Sequence, residues 1–139
     1  MDTYEFTPGS TPLLVSMPHV GTVIPDAIAA RMTDVARSVP DTDWHVDRLY
    51  DFATELGAAV LKPACSRYVI DLNRAPDDRA LYSGARNTEL CPTSTFHDQP
   101  IYRDGHAPDT AEIAERRATY WHPYHDRLAD ALADIREEH

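Results

Sequence analysis

The sequence predicts an α/β domain with a mixed, largely parallel sheet. Three short apolar runs, at residues 12–17, 58–61 and 68–72, have the length and composition of buried strands. A helical pattern separates the first run from the second, and a long helical pattern comes near the end of the chain. Strands that alternate with helices place the helices against the sheet. With 139 residues, the chain is long enough for one domain with its own core.

The predicted elements follow from local signals. The first strand leads into a turn-prone segment (PHVGT), and Pro25 then favours a short helix at 26–32, because proline suits the first helical turn. A second helix is predicted over 41–57, where acidic residues suit its start and Gly57 suits the position after its end. Its apolar residues follow a 3,4 spacing that predicts one buried stripe. The stripe comprises Val46, Leu49, Tyr50, Ala53 and Leu56.

The second half of the chain contains a long loop and a long helix. Residues 75–109 are rich in Pro, Gly, Asp, Ser and Thr, which predicts a partly ordered loop with a short hairpin. A helix is predicted from residue 110 to the end, with a kink or restart near His122 because Pro123 lacks an N–H. No helix-ending residue follows it. We therefore expect residues 1–139 to be the N-terminal half of a longer domain.

Composition narrows the classes of partner. A net charge of -10 argues against a nucleic-acid partner, which usually requires a basic face. No apolar run approaches the roughly 20 residues that span a bilayer, and the polar N-terminus is not a signal peptide. Cys65 and Cys91 are too few for a disulfide scaffold, so we expect a reducing cytoplasm. A small-molecule partner remains; composition leaves the oligomeric state open.

The segment 66–74 (SRYVIDLNR) is the most informative stretch of the chain. Its apolar residues predict a buried strand with polar residues at the C-terminal end. In open α/β sheets, ligands bind beyond the C-terminal ends of the strands. Arg67, Asn73 and Arg74 are suited to clamp an anionic small molecule, because a guanidinium pairs with both oxygens of a carboxylate. The alternative is structural, with Asp71 and the two arginines neutralising each other.

A second group of residues suits a metal ion. His19 follows the first strand, where a neutral imidazole is able to bind zinc together with a carboxylate and a second imidazole. Asp41, Asp43, His45 and Asp47 crowd the start of the second predicted helix. Helix capping explains Asp41 and Asp43 well, whereas Asp47 lies deeper in the helix and is the better functional candidate. The alternative for His19 is a loop histidine that bonds to the backbone.

Other motifs are absent or less informative. His122 and His125 are spaced for two ligands on one helix face, but the aromatic residues around them favour simple packing. The sequence has no Gly-x-Ser-x-Gly motif, no phosphate loop and no dinucleotide fingerprint. These absences favour metal-assisted hydrolysis or simple ligand binding over covalent catalysis.

Three segments in this order, 18–25 (PHVGTVIP), 41–47 (DTDWHVD) and 66–74, resemble the N-formylglutamate amidohydrolase family. Shorter matches at 92–103 and 124–128 continue the resemblance, which begins near residue 11. It implies a zinc carboxypeptidase-like fold, a three-layer α/β/α arrangement with the mixed sheet between helices. It also implies zinc, or another divalent metal, and the hydrolysis of N-formyl-L-glutamate to formate and L-glutamate in histidine degradation.

The resemblance also implies roles for individual residues. His19 is the expected zinc ligand; Asp47 is the first choice for the carboxylate ligand and Asp43 the second. Arg67, Asn73 and Arg74 are the expected substrate clamp. Related enzymes place a carboxylate ligand three residues after the first histidine, where this chain has Thr22.

The third metal ligand and the general base have no match in this chain, and we expect them beyond His139. The chain alone is therefore expected to bind zinc poorly and to have little activity. Two other functions remain open. One is a related zinc amidohydrolase or carboxypeptidase-like enzyme that acts on another N-acyl amino acid. The other is a non-catalytic carboxylate-binding domain.

Overall fold

A small mixed sheet forms the centre of the protein. The computed structural model describes residues 2–78 and 89–139. Strands β1 (Tyr4–Thr7), β2 (Leu14–Ser16) and β3 (Ala59–Pro63) lie in the order β1-β3-β2. β1 runs antiparallel to β3, and β2 runs parallel to it. The predicted α/β class and mixed sheet are confirmed, and the strands predicted at 12–17 and 58–61 correspond to β2 and β3.

Among the described residues, most helices are single turns, and α6 is the longest. They are α1 (Asp26–Ala29), α2 (Asp34–Arg37), α3 (Val46–Leu49), α4 (Phe52–Glu55), α5 (Thr110–Arg116) and α6 (His122–Glu138). A π-helical turn, Arg117–Trp121, joins α5 to α6. Pro123 has no N–H to donate to the preceding turn, so the hydrogen-bond ladder changes there. The predicted restart of the helix at His122 is confirmed.

Both faces of the sheet contact helical segments. Alternate side chains of a strand point to opposite faces, so Leu61 and Lys62 face different ways. On the face of Leu61, the hydroxyl of Tyr124 in α6 bonds to the Ser16 hydroxyl at 2.7 Å and donates to the Leu61 carbonyl at 3.3 Å. On the other face, Asp47 of α3 lies 3.6 Å from the Lys62 ammonium.

The helix predicted over 41–57 is divided, which corrects the prediction. His45 has a φ of +63°, a left-handed conformation that precludes a continuous helix through this residue. The helical turns α3 and α4 begin after it, so Asp41 and Asp43 lie outside the helix and do not cap it. Gly57 has a φ of +80° and follows α4, as predicted for a residue after a helix end.

The prediction of a strand at residues 68–72 is wrong. Residues 67–69 form a turn, and no strand lies in this segment, although its apolar residues are buried in the core. Local groups replace a strand ladder. The Ser66 hydroxyl accepts from the backbone N–H of Tyr68 at 3.1 Å, and the Asp71 carboxylate accepts from that of Asn73 at 2.9 Å. Such side-chain bonds to the backbone compete with regular structure.

Some elements escaped the sequence prediction. β1 and α2 were not predicted; Thr33 caps α2 by accepting from the N–H of Ala36 at 3.3 Å. The helix predicted at 26–32 is reduced to the single turn α1. Of the predicted loop, residues 79–88 lie outside the described residues, and within 89–109 one isolated bridge pairs Ser94 with Pro100. Within residues 2–78 and 89–139, no helix is long and apolar enough to cross a bilayer.

Candidate functional site

Asp71 is the centre of a polar cluster beyond the carboxyl ends of β2 and β3. Its Oδ1 lies 2.6 Å from Nε2 of His19 and accepts from the backbone N–H of Asn73 at 2.9 Å. Its Oδ2 accepts from Nη2 of Arg67 at 3.3 Å. The residue is buried, so these three donors replace the water that a carboxylate requires.

The cluster keeps Asp71 ionised. Burial favours the protonated carboxyl group and opposes the charge, but the His19 hydrogen bond and charge, the Asn73 N–H and the Arg67 charge outweigh it. Together they lower the pKa of Asp71 below its ordinary value. Asp71 is therefore a fixed negative charge that orients an imidazole on one side and a guanidinium on the other.

His19 is held on two sides. Its carbonyl oxygen accepts from the backbone N–H of Asp43 at 2.9 Å, and its Nδ1 lies 3.8 Å from Oδ2 of Asp43. In the neutral ring, the proton is assigned to Nε2 because Nε2 faces the Asp71 carboxylate, and the Nδ1 lone pair then faces Asp43. In zinc sites, a histidine that binds the metal through one ring nitrogen commonly donates the N–H of the other to a carboxylate.

The donor set suits part of a metal site. An imidazole nitrogen and a carboxylate oxygen are ligands that zinc accepts, and catalytic zinc usually has three protein ligands. In the part of the chain that the structure describes, no group of three or more His, Cys, Asp or Glu side chains is placed to hold a metal ion. His19 and Asp43 therefore supply two donors at most.

Arg67 lies beside this cluster under an aromatic ring. Besides its bond to Asp71, its Nη1 donates to the Asp41 carbonyl at 3.4 Å. Its guanidinium carbon lies 4.8 Å from the centre of the Phe96 ring, within range of a cation–π contact. The Arg67 side chain is only 11% exposed. The guanidinium is therefore positioned by three separate contacts.

Asp41 anchors the neighbouring loop, a role that the sequence did not reveal. Its Oδ2 accepts from the Tyr68 hydroxyl at 2.5 Å and from the Phe96 N–H at 3.0 Å. Burial and the Asp41 hydrogen bond raise the pKa of Tyr68, so the phenol stays a donor. Asp41 resembles a helix cap in the sequence, and no local signal distinguishes it, because its partners lie 27 and 55 residues away.

The other predicted site residues are more dispersed. Asn73 has an exposed side chain and contacts Asp71 through its backbone. The buried Arg74 guanidinium reaches the carbonyl and carboxylate of Asp78, each at 3.4 Å. Asp47, the first choice for a metal ligand, faces Lys62, whereas Asp43, the second choice, is the carboxylate beside His19.

His125 packs against aromatic residues, as its sequence context predicts. Its ring stacks on Trp121 with the centroids 3.9 Å apart, and its Nε2 lies 2.7 Å from the Leu72 carbonyl. Burial, which outweighs the Leu72 bond, lowers the pKa of His125, so its neutral form is favoured. The ring therefore ties α6 to the segment that carries Asp71.

The fold and this site define an α/β protein with a histidine, carboxylate and guanidinium cluster at the carboxyl ends of its parallel strands, the position where such sheets bind small ligands. A sequence profile of the N-formylglutamate amidohydrolase family matches residues 11–139. The chain belongs to this family.

The relatives of known name agree with this membership. The chain is 47% identical to an N-formylglutamate deformylase of Pseudomonas aeruginosa, over 99% of this chain and 51% of the relative. It is 46% identical to the N-formylglutamate deformylase of Pseudomonas putida, over 96% of this chain and 50% of the relative. The chain thus spans about half the length of these curated relatives.

Solved structures show the same fold. The crystal structure of N-formylglutamate amidohydrolase from Ralstonia eutropha JMP134 matches with a TM-score of 0.80 and 26% identity, over 99% of this chain and 53% of that chain. A gene product of Agrobacterium tumefaciens matches with a TM-score of 0.72 over 99% of this chain and 52% of that chain. Its identity is 16%, so this likeness concerns the fold alone.

Proposed function

We propose that this chain supplies part of the active site of a metal-dependent amidohydrolase that converts N-formyl-L-glutamate to formate and L-glutamate. One observation carries the proposal. In a member of this family, Asp71 holds His19 on one side and Arg67 on the other, which places a metal donor and a carboxylate-binding group within one cluster. A metal-dependent amidohydrolase that acts on a formamide bearing carboxylates uses the metal to activate water and the guanidinium to position the substrate.

His19 and Asp43 are the residues that would hold the metal. Asp71 keeps the His19 proton on Nε2, which leaves Nδ1 as the donor next to Asp43. We prefer Asp43 to Asp47 because the Asp47 carboxylate is engaged by Lys62. When bound, a divalent metal polarises the formyl carbonyl and lowers the pKa of water.

Arg67 is the proposed principal contact for a substrate carboxylate, with Asn73 and Arg74 as the further members of the clamp. Asp71 and the Phe96 ring hold the Arg67 guanidinium in place before substrate arrives, so less conformational entropy is lost on binding. The exposed amide of Asn73 is accessible to a ligand beside it. Fixing the carboxylate positions the formyl group for attack.

The finer architecture is also part of the proposal. Contacts on both faces of the sheet support a three-layer α/β/α arrangement of the zinc carboxypeptidase type in the full-length enzyme. The buried thiols of Cys65 and Cys91, which form no disulfide, suit a reducing cytoplasm.

A chimera tests the reaction. This chain replaces the matching half of the Pseudomonas aeruginosa deformylase, and release of L-glutamate is measured with N-formyl-, N-acetyl- and N-succinyl-L-glutamate, with formate measured as well for the N-formyl substrate. We expect formate release that needs a divalent metal and falls at least a hundredfold in His19→Ala. Hydrolysis of only the acetyl or succinyl substrate would assign a related amidohydrolase. Glutamate binding that a chelator leaves unchanged, without hydrolysis, would assign a carboxylate-binding domain.

Metal affinity separates the two candidate carboxylates. Asp43→Asn and Asp47→Asn are compared in the chimera with a fluorescent zinc indicator. We expect Asp43→Asn to weaken zinc binding at least tenfold and Asp47→Asn to change it less than twofold; the reverse order would make Asp47 the ligand. The isolated 139-residue chain is expected to bind zinc weakly. Tight stoichiometric zinc binding with full turnover would refute the idea that the metal site needs residues from outside this chain.

A further inference from the structure

Residues 44–56, a segment that contains the helical turns α3 and α4, expose five large apolar side chains. Trp44, Leu49, Tyr50, Phe52 and Leu56 are each between 43% and 70% exposed. We call these five residues the α3–α4 face. Large exposed side chains clustered within 13 consecutive residues are unusual for an isolated soluble surface and mark an interaction site.

The sequence pattern of the α3–α4 face is typical of a buried helix face. Leu49, Tyr50 and Leu56 belong to the 3,4 stripe that predicts contact with a core, yet of the stripe only Ala53 is buried. Leu49, at 70% exposed, is the most exposed large apolar residue in the described part of the chain. A periodic stripe facing solvent indicates that its partner lies outside these residues.

The sheet points to the same conclusion. β2 pairs in parallel with β3 and, among the described residues, has no neighbour on its other side. All three residues of β2 are half-buried, although parallel strands are normally covered on both faces. A parallel strand at an open edge is a template for further strands or for a covering segment.

The length of the relatives identifies the occupant. The solved N-formylglutamate amidohydrolase aligns over 99% of this chain but only 53% of its own, so nearly half of it has no counterpart here. The curated deformylases leave a similar share unmatched. We propose that the α3–α4 face is the docking surface for a segment equivalent to that unmatched half. The proposal rests on family membership and does not require the reaction proposed above.

The test compares one substitution in two contexts. In the isolated 139-residue chain, Leu49→Asp replaces an exposed side chain and is expected to change the Tm by less than about 2 °C. In the chimera with the remaining half of the Pseudomonas aeruginosa deformylase, the same change buries a charge and is expected to lower the Tm by more than about 5 °C. Phe52→Asp is expected to behave in the same way.

Leu132→Asp is the matched control, because Leu132 is 50% exposed on α6, outside the α3–α4 face. We expect it to have the same small effect in both contexts. Equal effects of Leu49→Asp in the chain and the chimera would overturn the proposal, and so would an equal loss in the chimera from Leu132→Asp.

A binding measurement covers the case in which a chimeric variant does not fold. The unmatched half of the Pseudomonas aeruginosa deformylase, produced separately, is titrated into the chain by calorimetry. We expect a 1:1 complex that Leu49→Asp weakens at least tenfold and Leu132→Asp by less than twofold. No complex, or a dimer of the chain itself that Leu49→Asp abolishes, would overturn the proposal. A complex without formate release supports the docking surface and counts against the proposed reaction.

Discussion

Replacing Asp71 with asparagine tests whether this carboxylate organises the site. The carboxylate uses two oxygens to accept from three donors, on His19, Arg67 and Asn73. An amide of the same shape has one oxygen, and its NH₂ group would face a donor. Asp71→Asn therefore removes at least one charge-assisted bond, which contributes about 1.5–3 kcal/mol. It also leaves the mostly buried Arg67 guanidinium without its counter-charge.

We expect Asp71→Asn to lower the free energy of unfolding by about 3 kcal/mol, which corresponds to about 12 °C in Tm for a chain of this length. Urea titration at low temperature measures the difference. The control is Asp134→Asn, because Asp134 is 65% exposed and lies 3.9 Å from Arg127. Because Asp134 is exposed and the pair is long, it contributes at most about 1 kcal/mol. A loss below about 1 kcal/mol for Asp71→Asn, or an equal loss for the control, would refute the reasoning.

The same variant has a pH signature. The folded pKa of Asp71 is lowered from a reference of 3.8, so its contribution to stability is complete above that value and is lost as the pH falls through the folded pKa. The stability difference between the wild type and Asp71→Asn is therefore expected to shrink as the pH falls below about 4. A difference that grows as the pH falls would contradict the ionised state of Asp71.

Three further predictions concern other buried groups. Burial raises the pKa of Cys91 to about 11. At pH 8 we therefore expect its thiol to react with a disulfide reagent about a hundredfold more slowly in the folded chain than in urea. Equal rates would show that the Cys91 thiol is accessible in the folded chain. Tyr68→Phe removes a donor to Asp41 and is expected to cost about 1–3 kcal/mol in urea unfolding, while an unchanged midpoint would refute the anchoring role of that bond. Gly21→Ala would place a methyl carbon 2.1 Å from the Cys65 carbonyl oxygen, and circular dichroism is expected to show loss of the folded state at 25 °C; a native spectrum and Tm would show that the backbone yields there.

Two of the three strands, β2 and β3, and the long C-terminal helix were predicted from the sequence. β2, β3 and the helix restart at His122 agree with prediction because each depends on neighbouring residues: apolar runs, or a proline that lacks an N–H. The prediction failed at residues 68–72, where an apolar run is buried as a turn. Burial and strand formation give the same apolar pattern, and only the partners of the backbone groups distinguish them.

The candidate site shows the same division. The residue types and motifs were sufficient to identify the family and to select His19, Asp43 and Arg67 as candidates. The sequence favoured Asp47 over Asp43 as the metal ligand, because the predicted helix over 41–57 placed Asp47 deeper in the helix and explained Asp43 as a cap. The left-handed His45 interrupts that helix, and the carboxylate beside the imidazole is that of Asp43.

The sequence by itself determined the chemical groups, which are an imidazole, carboxylates and arginines, and the family of the α/β chain that carries them. Only the tertiary structure decided that Asp71 links His19 to Arg67, and that the apolar stripe of α3 and α4 faces outward. His19 and Asp71 are 52 residues apart, and their contact depends on the packing of β2 beside β3. Local sequence preferences act over a few residues, whereas such contacts arise when distant segments share one core.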